Sequence, residues 1–326
     1  MAKADQIKAL IRSHAEGDDS RFYAIAMQVA AQAARNGHGV FAQELRNLVD
    51  QARERAQAAG NSHKPIPLVQ PRGELAGLLT VGYPKTRIVD MALEDELRAR
   101  IDRVVLEQRQ RERIREHGFT PLRKLLLVGL PGTGKTMTAA ALSGELGLPL
   151  FTIQLDGVIT KYMGETAAKL RLVFDAIQST RGVYLFDEFD AIGGRRTSTN
   201  DVGEIRRVLN SFLGFLEMDD SESLIIGATN HASLLDRALF RRFDAVLEYG
   251  PPSKTIAAEV MRARLALLDT SGVDWEVAAD AADGLSHAEI THACEQAAKN
   301  AILEHTTRVS NEELVAALLA RRNTHA

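Results

Sequence analysis

The stretch "LLLVGLPGTGKTMTA", Leu125 to Ala139, decides the fold. An apolar run, Leu125 to Val128, stops at Gly129, and a glycine-rich loop then runs into an alanine-rich segment of helical character. Gly129, Gly134, Lys135 and Thr136 fill the spacing G-x-x-x-x-G-K-[ST] in the strand, loop and helix context that a phosphate-binding loop needs. Glycine lets the backbone take conformations closed to other residues while its N–H groups point inward at phosphate oxygens. The helix that follows adds free N–H groups and the positive end of its dipole. Lys135 is placed to reach the β and γ phosphates and Thr136 to bind Mg²⁺, while Pro131, Gly132, Thr133 and Met137 complete the nucleotide-binding set.

The rest of the composition bounds what surrounds this loop. At 326 residues the chain has room for two or three domains, each with its own core. Hydrophobic residues at 45%, charged residues at 25% and a net charge of −3 fit a globular protein without a dominant basic surface for nucleic acid. One cysteine, Cys294, excludes an intrachain disulfide and favours a reducing compartment. The first residues, "MAKADQIKALIRSHAEG", lack the uninterrupted apolar segment of a signal peptide, and no apolar run reaches the roughly 18 residues that span a bilayer. A cytoplasmic protein without a membrane role is expected.

Residues 1–58 read as a bundle of three short helices, with apolar faces marked by Ile7, Leu10 and Ile11, by Phe22, Ile25 and Val29, and by Leu45, Leu48 and Val49. Prolines and glycines make residues 59–82 a linker. Over residues 83–250, the runs "KLLLVG", "LPLFTIQL", "GVYLFDE", "SLIIGATN" and "DAVLEY" alternate with amphipathic helices, the signature of a parallel sheet covered on both faces. The charged helix before them, Leu93 to Gly118, reads as a solvated face. Residues 251–326 show no strand. Their helices start at Ser253, Ser286 and Ser310, the last two with capping-box partners Glu289 and Glu313. The fold expected is an α/β nucleotide-binding core followed by a helical lid and preceded by a helical bundle.

The run "GVYLFDEFDAIG" sends a buried strand into two acids. Asp187 is suited to hold Mg²⁺, and Glu188 to act as general base on the attacking water. The next strand ends at Asn230, whose amide can orient that water. In this order, the phosphate loop, "FDE", "ATN", "LDRALFRRFD" and the lid phrase "GLSHAEI" together resemble the AAA ATPases, from about Ile88 to Ala320.

The resemblance implies ATP and Mg²⁺ as cofactors and ATP hydrolysis as the activity. It also implies that Arg241 and Arg242 are arginine fingers acting on a neighbouring subunit, hence a homo-oligomeric ring, usually a hexamer. Tyr162, Met163 and Gly164 in "TKYMGETAAKLR" occupy the position of the family's pore loop, which grips an extended polypeptide, and "GGRRTSTNDVG", Gly193 to Gly203, that of a second. Three positions depart from the pattern. Leu130 stands for a usual proline, His287 for the glycine usual in the lid phrase, and the finger segment lacks a common Pro-Gly insertion. Its shortness is closer to ring ATPases that disassemble filaments or sever microtubules than to protease-fused members.

The function expected is therefore ATP-driven unfolding, translocation or remodelling of a protein. Two alternatives stay open: an ATP-dependent switch on a separately encoded partner such as a peptidase, and, less favoured, a nucleic-acid motor. No built-in zinc protease is expected. His287 and His292 lie five positions apart and Glu289 is misplaced for the H-E-x-x-H motif.

Overall fold

The computed structural model describes residues 71, 73–158, 163–189, 202–231, 237–306 and 308–324, together with Ala26, Met27, Ala30 and Gln43. The chain divides into two compact units, Met1–Pro67 and Leu68–Ala326. In the first, Ala26 and Ala30 are helical and buried. The remainder of the expected three-helix bundle lies outside the described residues.

The second unit is built on six strands: β1 (Leu79–Gly82), β2 (Lys124–Gly129), β3 (Leu150–Ile153), β4 (Val183–Phe186), β5 (Leu224–Thr229) and β6 (Ala245–Tyr249). They lie in the order β1-β3-β4-β5-β2-β6. The five expected strands are parallel, as buried crossover sheets require. The sixth was not expected: Leu79–Gly82, the end of the stretch read as linker, pairs antiparallel with β3 along the sheet edge. No local pattern marks it, because four residues give too short a period and the partner is about seventy residues away.

Around the sheet lie α1 (Asp95–Arg109), α2 (Arg111–Glu116), α3 (Lys135–Leu146), α4 (Leu155–Val158), α5 (Met163–Ser179), α6 (Val202–Met218) and α7 (Arg237–Phe240). The two-residue period of a strand sorts the side chains onto two faces. Leu126, Tyr184, Phe186 and Ile225 pack with α5 and α6 through Val173, Phe174, Phe212 and Leu216. Leu125, Leu127, Val183, Leu185 and Ile226 pack instead with α1 and α3 through Ile101, Val104, Ala141 and Leu142. The charged segment read as a solvated face thus breaks at Gln110 into two helices, and the first buries one side.

The amino ends of the strands are anchored by charge. Arg123 forms a buried ion pair with Asp219, and Asp244 accepts hydrogen bonds from the backbone N–H groups of Arg123 and Lys124, both at 2.9 Å. A helical part with its own core follows the sheet: α8 (Lys254–Arg264), α9 (Trp275–Ala281), α10 (His287–Leu303) and α11 (Asn311–Thr324). Ser253 caps α8, Ser286 and Glu289 close a capping box on α10, and Ser310 and Glu313 exchange the same bonds before α11. Asp274 caps α9, the one lid helix among these that the serine signals did not mark. Cys294 is fully buried there, and burial pushes its thiol up to about 12, so it is an inert core residue.

Candidate functional site

The register of the sheet assembles the site. Val128 of β2 pairs with Thr229 of β5, and Gly227 of β5 pairs with Phe186 of β4. The phosphate loop after β2, Asn230 after β5 and the acid pair after β4 therefore leave the sheet side by side at its carboxyl edge, where open α/β sheets bind ligands.

Two close approaches explain the loop's glycines. A Cβ on Gly129 would lie 2.2 Å from the Tyr249 carbonyl oxygen, so only glycine lets β6 run this close. Gly132, at φ +74°, sits in the left-handed region, and a Cβ there would meet Ala288 Cβ at 2.8 Å and Ser286 Oγ at 2.9 Å. The lid helix thus packs directly on the loop, and the Ala288 N–H donates to the Gly132 carbonyl at 3.0 Å. The sequence gives no hint of this contact, since a loop glycine carries no mark of its distant neighbours.

Within the loop, Lys135 Nζ donates to the carbonyls of Gly129 at 2.7 Å and Leu130 at 2.8 Å, and the Thr133 hydroxyl donates to the Leu130 carbonyl at 2.8 Å. Lys135 and Thr133 are buried; Pro131, Thr136 and Met137 are exposed. The Thr136 hydroxyl donates to Asp187 Oδ2 at 2.8 Å, so the two residues expected to share a metal stand together. A hydroxyl and a carboxylate are the hard oxygen donors that Mg²⁺ takes, and left-handed Gly132 beside the start of α3 is a shape that suits phosphate.

Glu188 is exposed and holds φ at +51°, an unusual conformation for a side-chain-bearing residue, with its N–H donating to Asp187 Oδ1 at 2.9 Å. Phe189 fixes this turn: its N–H donates to the Ala228 carbonyl at 2.8 Å, and its ring is fully buried against Phe212, with centroids 4.8 Å apart. The same ring meets the edge of Phe243 at 6.2 Å. Asn230 is half-buried between loop and acids.

Arg241 and Arg242 do not join this cluster. Both are exposed in the turn after α7, and the Asp244 N–H donates to the Lys124 carbonyl at the amino end of β2. The length of β2 separates that end from Gly129, about 17 Å at strand rise. Arg242 pairs with Glu217 at the end of α6; Arg241 forms no ion pair among the described residues. Of the expected pore loop, Tyr162 lies outside the described residues, and Met163 and Gly164 open α5. Of the expected second loop, Gly193 to Gly203, residues 193–201 also lie outside the described residues.

His287, the first residue of α10, takes a place that the sequence marked only as a departure. Neither ring nitrogen is exposed, and neither finds a hydrogen-bond partner. Burial lowers its pKa, with the Ala92 backbone and the Glu94 carboxylate acting the other way to a lesser degree; neither reaches a ring nitrogen in hydrogen-bonding geometry. Glu94 itself was missed by the sequence reading. Its carboxylate accepts from the Ser253 N–H at 2.8 Å, tying the start of α1 to the start of the lid.

Comparison with known proteins agrees with this geometry. The profile of the ATPase family associated with various cellular activities (AAA) matches residues 125–251. An uncharacterised AAA family ATPase of Sinorhizobium fredii is 33% identical over 98% of this chain and 95% of its own length. The chain belongs to the AAA family; it binds nucleotide and is an ATPase. Two further relatives, each 34% identical, are the ATP-dependent zinc metalloprotease FtsH of Acidothermus cellulolyticus and the proteasome-activating nucleotidase of Sulfurisphaera tokodaii. They match 68% and 64% of this chain, which spans 35% and 55% of their lengths. The first of these names is that of a protease and the second that of a proteasome activator. No helix among the described residues is long and apolar enough to cross a membrane.

Proposed function

We propose that this ATPase assembles into a homo-oligomeric ring, a hexamer, that works in the cytoplasm and uses hydrolysis to unfold, translocate or remodel a protein substrate. The observation that carries the ring is the place of Arg241 and Arg242. They are exposed at the end of the sheet opposite their own phosphate loop, so charge they lend to a transition state falls on another copy's nucleotide. In this reading Thr136 and Asp187 hold Mg²⁺, which supplies charge to the phosphate oxygens. Glu188 takes the proton from the attacking water, Asn230 orients that water, and Lys135 stabilises the phosphates. Tyr162, Met163 and Gly164 contact the substrate in the pore, residues 1–58 dock it, and the helices from residue 251 onward close over the nucleotide.

The names of the relatives support a protein-handling role, and they also favour a second reading. A proteasome-activating nucleotidase and a probable 26S proteasome regulatory subunit suggest a switch that acts on a separate peptidase without threading. One experiment separates the two. Glu188→Gln should hold ATP while cutting turnover at least about a hundredfold, which freezes the ring on what it handles. A protein captured by this variant, and lost when Tyr162→Ala is added, supports threading. Capture that ignores Tyr162 supports the switch, and captured nucleic acid overturns both.

A further inference from the structure

The loop and acids account for the phosphate end of a nucleotide, while nothing so far holds the other end. Beside Thr133 of the loop lies a cavity of about 360 Å³, within the range of small-molecule sites. Its walls include Leu93 and Leu97 at the start of α1, Gly250 and Pro252 after β6, and His287 of the lid. Leucine and proline walls suit a flat ring, and Thr133 places the cavity next to the phosphates.

Among these walls His287 is half-buried, yet both of its ring nitrogens are shielded from solvent and unpaired. Buried polar groups ordinarily find partners, so an orphaned imidazole calls for an explanation. A neutral imidazole offers one N–H donor and one acceptor, and rotation about its side-chain bonds turns either nitrogen toward the cavity it already lines. A glycine at this position offers neither.

We propose that His287 is a specificity-determining residue that holds the nucleoside half of the bound nucleotide, pairing through its ring with the base or a ribose hydroxyl in this cavity. The site has a structural counterpart one residue on, because the Ala288 N–H is already bonded to the Gly132 carbonyl. The same turn of α10 therefore touches both ends of the site: the residue that grips the nucleoside is the neighbour of the residue that grips the loop. This inference rests on nucleotide binding at the phosphate loop and is independent of the ring and of threading.

Calorimetric titration without Mg²⁺ tests it, using ADP, 2′-deoxy-ADP, GDP and inorganic pyrophosphate against the wild type, His287→Ala and His287→Gln. ADP binding should weaken about three- to tenfold in His287→Ala, the loss of one hydrogen bond, while pyrophosphate binding stays within twofold. His287→Gln, which keeps a donor and an acceptor, should recover part of the loss. In the wild type the imidazole resonances of His287 should shift on adding ADP but not on adding pyrophosphate. If 2′-deoxy-ADP is as insensitive to the substitution as pyrophosphate, the partner is the ribose; if ADP loses affinity and GDP does not, it is the base. ADP and pyrophosphate weakening equally, ADP binding unchanged in His287→Ala, or an imidazole indifferent to ADP would each overturn the proposal. Because ADP is not hydrolysed, a failure of the catalytic reading leaves this result untouched.

Discussion

Glu188 shows how much a single residue can hide from its sequence. "FDE" reads as an acid pair, but its left-handed backbone, φ +51°, follows from Phe189 being locked on both sides, to Ala228 by its N–H and to Phe212 by its ring. Strain held this way costs on the order of 1–3 kcal/mol and persists only where the surroundings impose it, which fits a carboxylate aimed for chemistry. His287 was legible as an exception and no further, since an orphaned nitrogen is a property of packing. Its depressed pKa makes a pH prediction. The unfolded chain protonates this ring near the ordinary value of 6.5, the folded chain only at lower pH, so its contribution is intact above 6.5 and is lost as pH falls below. Glu94, Glu96, Arg100 and Glu248 line the same cavity and share its field. Thermal unfolding at pH 7.5 and 5.5 should show a smaller acid-side drop for His287→Gln than for the wild type.

At the scale of elements, the parallel strands, α3 and the serine-capped lid helices were readable because each carries a local signal: an apolar run, a glycine loop, a capping box. Edge strand β1 and the docking of α10 on the phosphate loop were not, for both are contacts between segments far apart in the chain. That docking can be broken selectively. Gly132→Ala places a methyl 2.8 Å from Ala288 Cβ and strains the left-handed backbone, so the lid should part from the loop. Affinity for ADP should fall by about tenfold or more, from the 1–2 kcal/mol left-handed penalty added to the clash, with little change in helix content by circular dichroism. The strand anchor behaves differently. Asp219 is fully buried against Arg123, and Asp219→Ala strands a buried guanidinium, which should cost about 3–5 kcal/mol in urea unfolding.

At the scale of the whole molecule, the change from strand period to helix period marks off the sheet from the helices that follow it. The sequence could not say where the arginine pair lies relative to the loop. The sheet decides that, because β6 runs parallel to β2 and brings Arg241 and Arg242 in at its far end. A mixing experiment tests the consequence. The double variant Arg241→Ala with Arg242→Ala, and Glu188→Gln, should each turn over ATP poorly alone. Mixed, they should regain activity, since an intact Glu188 in one copy meets intact arginines from the next; fingers acting within one chain give no recovery. The edge contact between Phe189 and Phe243 then takes on a further meaning. In the proposed ring, Phe189 directly follows the acid assigned to a copy's own nucleotide, and Phe243 directly follows an arginine assigned to its neighbour's. On that reading a single pair of packed rings lies between the groups that serve two adjacent reaction centres, and a change of packing at either ring is felt by the other.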